Sequence, residues 1–350
     1  MKLYRLLASL VLAAILLTAC APAAAPAASD AAPAPAADAP KLRIAEQFGL
    51  GYAMLTVARE QKMFEKYLPG LQVEWQTYGS GGAINEAFVA GQVDAAIMGI
   101  PPFLIGWDKG IPWKVASGVC VMPLGLQTYK DDIQSLKDFK EGDKIAYPAP
   151  GSIQHILLSM AAEKELGSPT ALDDFGVAMA HPDAAAALIS QKDISAHFTS
   201  PPYNFQELSA PGIRQIVDGT QAFGSDFSFL VAVASKDLYE KNPQVYAAFV
   251  LGLSDAAAFI NEQPEAAAKI LAPSFKLDEA TTLKYLTWPG MNYTTTPYGL
   301  MGFSDFMVNA GYIKNAPKSV SDIAWYNVVS TVGEMQGETP SALEKLQYRP

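Results

Sequence analysis

The sequence predicts an α/β fold in two lobes joined by a hinge. Three observations carry that expectation. From residue 41 onward the chain alternates strand, loop and helix, the pattern of an α/β fold with largely parallel sheets. Two apolar segments, near residues 119–128 and 222–232, flank a central α/β block, as two crossings between lobes would. The globular stretch, Lys41 to about Tyr348, is long enough for two domains of ordinary size. The expected boundaries are 1–19 for a leader and 20–40 for a linker, with 41–125 and 226–340 forming lobe one and 126–225 forming lobe two.

In chain order, Lys2 and Arg5 precede an apolar run from Leu6 to Leu17, and Leu17-Thr18-Ala19-Cys20 closes it. This reads as a signal peptide with a lipoprotein cleavage box, because a cationic start, a short apolar core and small residues before cysteine are what export and lipidation require. Cys20 is the expected lipidation site, and the mature chain is expected at the outer face of the cell membrane, held by its lipid. Residues Ala21 to Pro40 consist only of Ala, Pro, Ser and Asp. With nothing large to bury they cannot offset the entropy of ordering, so an extended stalk is expected, reaching on the order of 60 Å at about 3 Å per residue.

The expected elements then follow in order. Leu42-Arg43-Ile44-Ala45 is a short strand; Gly49 and Gly51 punctuate a loop; Ala53 to Glu65 has the apolar spacing of one helix. Leu71 to Thr77 is a strand, Tyr78-Gly79-Ser80-Gly81-Gly82 opens a helix from Ala83 to Ala90, and Val93 to Met98 is a strand that runs into Gly99-Ile100-Pro101-Pro102. In the central block, Lys144 to Tyr147 is a strand, Pro148 to Ser152 a loop, Ile153 to Leu166 a helix stopped by Gly167, Asp183 to Ser190 an Ala-rich helix, and Ile194 to Phe198 a strand running into Thr199-Ser200-Pro201-Pro202-Tyr203. Phe227 to Ala234 has the pattern of a buried strand, and helices follow over Tyr239–Phe259, Pro264–Leu271, Asp278–Leu286, Pro297–Ala310 and Val320–Tyr326.

Charge excludes some partners. Acidic residues outnumber basic ones 35 to 25, a net charge of −10, and removal of the leader with Lys2 and Arg5 makes the chain more negative still. Nucleic acid and anionic lipid surfaces are bound mainly through Lys and Arg, so neither is expected as a partner. With Cys20 lipidated, Cys120 is the one remaining thiol and no disulfide is expected.

The succession of Gly51-Tyr52-Ala53, Gly79-Ser80-Gly81-Gly82, Gly91-Gln92-Val93-Asp94-Ala95-Ala96 and Gly99-Ile100-Pro101-Pro102, then Pro150-Gly151-Ser152 and Thr199-Ser200-Pro201-Pro202-Tyr203, resembles the nitrate/sulfonate/taurine-type solute-binding proteins of ABC importers, a group that includes binders of thiamine-precursor pyrimidines and of riboflavin. The resemblance spans almost all of residues 41–330. It implies a two-lobed type II periplasmic-binding-protein fold, a ligand cleft between the lobes, and delivery of a small solute to a membrane permease driven by an ATPase. It implies no cofactor, and a monomer is expected.

The residues supply the candidate contacts. Ser80-Gly81 and Gly151-Ser152 precede helices, whose unpaired N–H groups suit a ligand oxygen. Phe48, Tyr52, Tyr78, Tyr203 and Phe229 could stack on a flat ring. Gln47, Glu46, Asn85, Gln154 and Asn204 could hydrogen-bond its edge, His155 and Ser200 are further polar candidates, and Ile100 and Pro101 border the third loop. The five loops expected to line the cleft contain no Lys or Arg, which weighs against an oxyanion and toward a neutral heterocycle. Riboflavin is the expected solute, a thiamine-precursor pyrimidine the second choice, and sulfonate, taurine or nitrate the third. Lys109 and Arg214 are the cations that could still reach in.

An enzyme is not expected. Ser152 and His155 could suggest a nucleophile and base, but no third orienting group stands at a telling spacing and Gly-x-Ser-x-Gly is absent. His155, His181 and His197 form no metal-binding motif, so no metal site is expected, and His181 and His197 read as structural. Related eukaryotic proteins that make the thiamine pyrimidine carry a cysteine-rich motif, and this chain does not. A tethered sensor would share the fold with a receptor in place of the permease.

Overall fold

The computed structural model describes residues 39–329. The leader, Cys20, the Ala/Pro stalk up to residue 38 and the end of lobe one beyond 329 lie outside the described residues.

The chain enters as β1 (Lys41–Glu46), a 3₁₀ turn at Leu50–Tyr52, α1 (Ala53–Glu60) and α2 (Met63–Tyr67). The single helix expected over 53–65 is two, because Lys62 takes a left-handed conformation at φ 52° and interrupts the hydrogen-bond ladder. Next come β2 (Gln72–Thr77), α3 (Gly81–Val89), β3 (Ala95–Gly99), α4 (Ile100–Asp108) and β4 (Trp113–Val121). Helix α4 is absent from the sequence reading: its start holds Pro101 and Pro102, which look like breakers but fit the first turn, where no N–H partner is needed.

The second part holds β5 (Gly125–Thr128), β6 (Ile145–Tyr147), α5 (Ile153–Leu166), β7 (Gly176–Ala178), α6 (His181–Ile189), β8 (Ala196–Thr199), α7 (Tyr203–Leu208) and β9 (Arg214–Asp218). Helix α5 runs over its expected span, capped by Ser152 and closed by Gly167 at φ 78°. The chain returns through α8 (Gly219–Phe223) to β10 (Leu230–Ser235). It ends in α9 (Lys236–Lys241), α10 (Pro243–Glu262), α11 (Pro264–Phe275), α12 (Glu279–Leu286), β11 (Asn292–Tyr293), α13 (Leu300–Asn309), α14 (Val320–Ile323) and α15 (Tyr326–Val329). The helix expected from 239 to 259 is broken before Pro243, which cannot donate into the preceding turn.

Two sheets result. The first has strand order β11-β4-β10-β3-β1-β2 and the second β7-β6-β8-β5-β9. Both are mixed, which corrects the expectation of largely parallel sheets. Strand β1 is parallel to β2 and β3, and β6 to β7 and β8, but β10 is antiparallel to β3 and β4, and β5 to β8 and β9. Parallel pairing follows from helical crossovers between successive strands of one sheet. Strands β5 and β10 arrive from the other sheet and escape that constraint.

The sheets are joined at residues 122–124 and 219–229. These crossings run side by side, since Gly219 N–H donates to the Leu124 carbonyl at 2.8 Å. Beside them, Phe229 N–H donates to the Cys120 carbonyl at 2.8 Å, tying the return segment to β4.

Behind the first sheet, α10 packs on α1 and α2, with the Phe64 and Phe249 ring centroids 5.6 Å apart. By length and composition α10 could cross a membrane, but half of its apolar window is buried inside the protein. Its Asp255 accepts from Lys66 at 2.6 Å and Tyr67 at 2.9 Å, so it behaves as a core helix with one polar edge.

Candidate functional site

The loops after β1, β2 and β3 face the loops after β6 and β7 across a narrow crevice. Gln47, Phe48, Tyr52, Gly79, Gly81, Gly99, Pro102, Phe229 and Leu230 line one wall; Pro148, Ser152, Ile153, Gln154 and His181 line the other. The starts of four helices meet there: Gly81 opens α3, Gly99 caps α4, Ser152 caps α5 and His181 opens α6. Each helix start brings a partial positive charge, and α3 and α5 also bring amides without intrahelical partners, whereas Pro101, Pro102 and Pro182 leave α4 and α6 fewer N–H groups; their convergence makes the crevice attractive to electron-rich oxygen.

The walls are drawn together. Leu50 N–H donates to the Pro201 carbonyl at 3.0 Å across the gap. Gly49 permits this approach: at φ +112° a side chain would be strained, and its Cβ would stand 2.9 Å from the same carbonyl. At Gly99 an added Cβ would come 3.2 Å from Ile153 Cβ. The remaining space is about 20 Å³, room for about one water. Beside it a wider groove of about 680 Å³ shares Gln47, Phe48 and Tyr52 and adds Tyr203, Gln206, Phe275, Arg59 and Lys276. Arg59 is engaged by Glu46 at 3.0 Å.

Of the sequence candidates, Gln47, Phe48, Tyr52, Gly81, Ser152, Gln154 and Phe229 meet in the crevice, and Tyr203 lines the groove. Others lie outside both linings. Tyr78 donates its hydroxyl to Gln76 Oε1, and Ser80 caps Ala83 N–H. Asn85 Nδ2 donates to the Pro102 carbonyl, and Ile100 and Pro101 are buried in the first turn of α4. Gly151 N–H donates to His155 Nδ1, whose ring is held between Tyr147 and Tyr312 with Nε2 3.3 Å from Asp173. Among the described residues Ser152 Oγ accepts only the His155 backbone N–H, at 3.3 Å, so the pair is an N-cap and not a nucleophile with its base. Ser200 lies behind the wall with Oγ 3.4 Å from His181.

The two cations held in reserve stay away: Arg214 donates to the carbonyls of Lys130 and Ile133, and Lys109 is exposed just past the far end of α4. The lining that sequence reasoning missed includes Gly79, Gly99, Pro102 and Ile153, each one residue from a named candidate. His181 is the larger miss. Its place at the first position of α6, before Pro182, was the available signal.

Behind His181 runs a buried polar chain. Its Nε2 lies 2.9 Å from Gln154 Nε2 and its Nδ1 lies 2.9 Å from His197 Nε2. His197 Nδ1 is 2.6 Å from Glu207 Oε1, while Glu207 Oε2 has no partner among the described residues. Burial pushes the Glu207 carboxyl up to about 9 and His197 down to about 3, and burial reinforced by His197 lowers His181. Tyr203 stacks on His181 with centroids 5.7 Å apart, and burial raises its hydroxyl to about 12. Among the described residues no group of three or more His, Cys, Asp or Glu is disposed to hold a metal ion.

The model of the NMT1-like family matches residues 36–273, most of the chain. The chain belongs to the NMT1-like family. Solved structures agree with the fold of this NMT1-like protein. The periplasmic aliphatic sulphonate-binding protein SsuA of Escherichia coli superposes with a TM-score of 0.64 at 22% identity, covering 83% of this chain and 98% of that one. A conserved Candida albicans gene product described as having the generic periplasmic binding protein fold gives 0.66 at 16%, covering 82% and 96%. The periplasmic nitrate-binding protein NrtA of Synechocystis PCC 6803 gives 0.65 at 18%, covering 89% and 90%. This NMT1-like chain therefore has the periplasmic-binding-protein fold. No curated protein matches it.

Proposed function

We propose that this protein is the extracytoplasmic solute-binding component of an ABC-type importer, a monomer held to the membrane through Cys20. It captures a small solute between a lobe of residues 41–125 with 226–340 and a lobe of 126–225, and presents the closed form to a permease. The observation that carries the reading is the meeting of four helix starts from both sheets in one crevice at the mouth of two adjacent crossings. Such a crevice gains its full set of donors only when closed, so closure and affinity are coupled.

The solute class that suits this wall carries acceptor oxygens. Riboflavin is our first choice: among the described residues no Lys or Arg lines the crevice, and the adjoining groove, lined by Phe48, Tyr52, Tyr203 and Phe275 together with Lys276 and the Glu46-paired Arg59, has the size and aromatic walls of a site for a flat ring. The second reading is a compact oxyanion such as a sulfonate, taurine or nitrate, favoured by the solved relatives named for sulphonate and nitrate binding. Helix starts can hold such an anion without a cationic side chain.

The test is a thermal-shift and calorimetric comparison of riboflavin, hydroxymethylpyrimidine, taurine, ethanesulfonate and nitrate, with a check of the purified protein for flavin fluorescence. Saturable binding of riboflavin supports the first choice and a response to oxyanions alone replaces it. Turnover of any of them would make the protein an enzyme instead.

A further inference from the structure

Glu207, His197, His181 and Gln154 form a single file from the interior of the second part to the crevice. All four are buried, Glu207 and His197 completely. The Glu207–His197 and His197–His181 joints each have one hydrogen between two heavy atoms, so fixing the proton at one end fixes both; at His181 Nε2 the nearer partner is Gln154 at 2.9 Å, with Ser200 Oγ at 3.4 Å. Only Gln154 and His181 reach the crevice lining.

Two directions are available. If Glu207 is an acid, its O–H donates to His197 Nδ1; His197 Nε2–H donates to His181 Nδ1; and His181 Nε2–H donates outward. The Gln154 amide must then meet His181 with its carbonyl oxygen, a flip of the amide whose Nε2 stands 2.9 Å from His181 Nε2, and the flip turns its NH2 toward the crevice. If Glu207 is ionised, every bond reverses, Gln154 donates to His181, and a carbonyl faces the crevice. The orientation of an amide is settled by its network, and here the network ends on a carboxyl sealed from solvent. Among the described residues no Lys or Arg within hydrogen-bonding reach favours ionisation: the partner of Glu207 Oε1 is the imidazole of His197, and Oε2 has none.

We propose that Glu207, held in its acid form, acts through His197 and His181 as a positioning relay that turns the Gln154 NH2 into the crevice, so that the solute presents an acceptor oxygen there. The inference rests on the solute-binding reading and narrows its ligand class to molecules with a carbonyl, carboxylate, sulfonate or similar oxygen at that point. The raised pKa of the Glu207 carboxyl, caused by burial, agrees with this direction at neutral pH.

Other ionisable groups on the surrounding elements are engaged elsewhere or cannot reverse the relay. Tyr203 on α7 stacks on His181 and stays a neutral phenol below about 12. Tyr147 on β6 faces His155. On α6 Asp183 is exposed, and on β9 Arg214 donates to carbonyls while Asp218 caps α8. The polar side chains of β5 are those of Gln127, which donates to the Asn204 carbonyl, and Thr128, which donates to Ser195. On the opposite wall, Gln47 is uncharged and Tyr52 is held neutral by burial.

The test has two arms on the full chain. In the first, ¹⁵N-histidine labelling reads the ring tautomers without any ligand: both His181 and His197 should carry the proton on Nε2 at neutral pH. A proton on His181 Nδ1 overturns the proposal. In the second, the affinities of ethanesulfonate and riboflavin are followed from about pH 6 to about pH 10 in the wild type, Glu207→Gln and Glu207→Leu.

For whichever probe binds, wild-type affinity should fall about tenfold as pH passes about 9, the loss of one well-placed donor. Glu207→Leu should lose about as much already at neutral pH. Glu207→Gln, whose amide can donate to His197 Nδ1 but cannot ionise, should recover affinity relative to Glu207→Leu and lose the alkaline fall. A wild-type profile that is flat across this range, or a glutamine variant no better than the leucine one, overturns the relay. Failure of the wild type to bind any probe rejects the solute-binding reading, and the tautomers then decide the relay alone.

Discussion

The two halves of the protein bury different chemistry. Around the first sheet the interior is aromatic and aliphatic, with Phe64, Phe103, Trp113, Phe249 and Phe303 essentially inaccessible. Around the second sheet the interior holds ionisable and amide groups: His181, His197, Glu207, Asp143, Gln127 and Gln154 are all buried. Apolar packing is non-directional and makes a stable floor, whereas buried polar groups must be oriented to be satisfied. The contrast teaches that helix starts from both halves reach the crevice, while the chain of buried polar side chains behind its wall belongs to the second half alone.

The sharpest way to break this contrast is to cut into each half in turn. Phe249→Ala should cost about 3–5 kcal/mol in chemical denaturation, because the ring is fully buried against Phe64 and the hole cannot be refilled. A loss below about 1 kcal/mol would mean that the first half is loosely packed.

In the second half Asp143→Asn comes next. Burial pushes this carboxyl up, but donors from Lys130, the Lys140 amide and Ser195 outweigh it and hold its pKa below the ordinary value. A carboxylate depressed on folding stabilises above its unfolded pKa, and that stability is lost as pH falls through the folded value. The melting-temperature difference between wild type and Asp143→Asn should therefore be largest at neutral pH and shrink below about pH 4. A constant difference would mean that the ion pair with Lys130 contributes only packing.

Glu207 has the opposite sign. Its folded pKa, about 9, lies above the ordinary 4.5, so the folded state holds a proton that the unfolded state releases, and stability declines as pH rises between those values. Glu207→Gln removes the titration and should gain melting temperature relative to wild type across that window. Parallel pH curves for the two proteins would place Glu207 outside any coupled proton. The smallest effect is that of Ser152→Ala, which removes the cap of α5 and should cost about 1 kcal/mol by denaturant titration.

Much of the fold was legible. Ser152 and Gly167 bracket α5 by capping chemistry that operates within a few residues, and the strand around Val231-Ala232-Val233 is plain in its unbroken apolar run. The site was legible only in outline. Gly81, Ser152, Phe229 and Tyr52 could be picked from turn glycines, caps and aromatics, yet Tyr78, Asn85 and His155 carry the same signals and point elsewhere. A residue type says what bonds a side chain can make, and its neighbours in space decide which it does make.

By itself the sequence determined the alternation of strands and helices, the cap at Ser152 and the stop at Gly167, the acidic charge and the absence of cations in the crevice loops. These depend on interactions within one or two turns of chain or on composition alone. Only the tertiary structure decided that both sheets are mixed, that Gly49 and Leu50 meet Pro201, and that Glu207, His197, His181 and Gln154 stand in line. Those four come from four separate segments, and no local rule relates them: their order arises when β8, α6, α7 and α5 pack together and each buried polar group must find a partner.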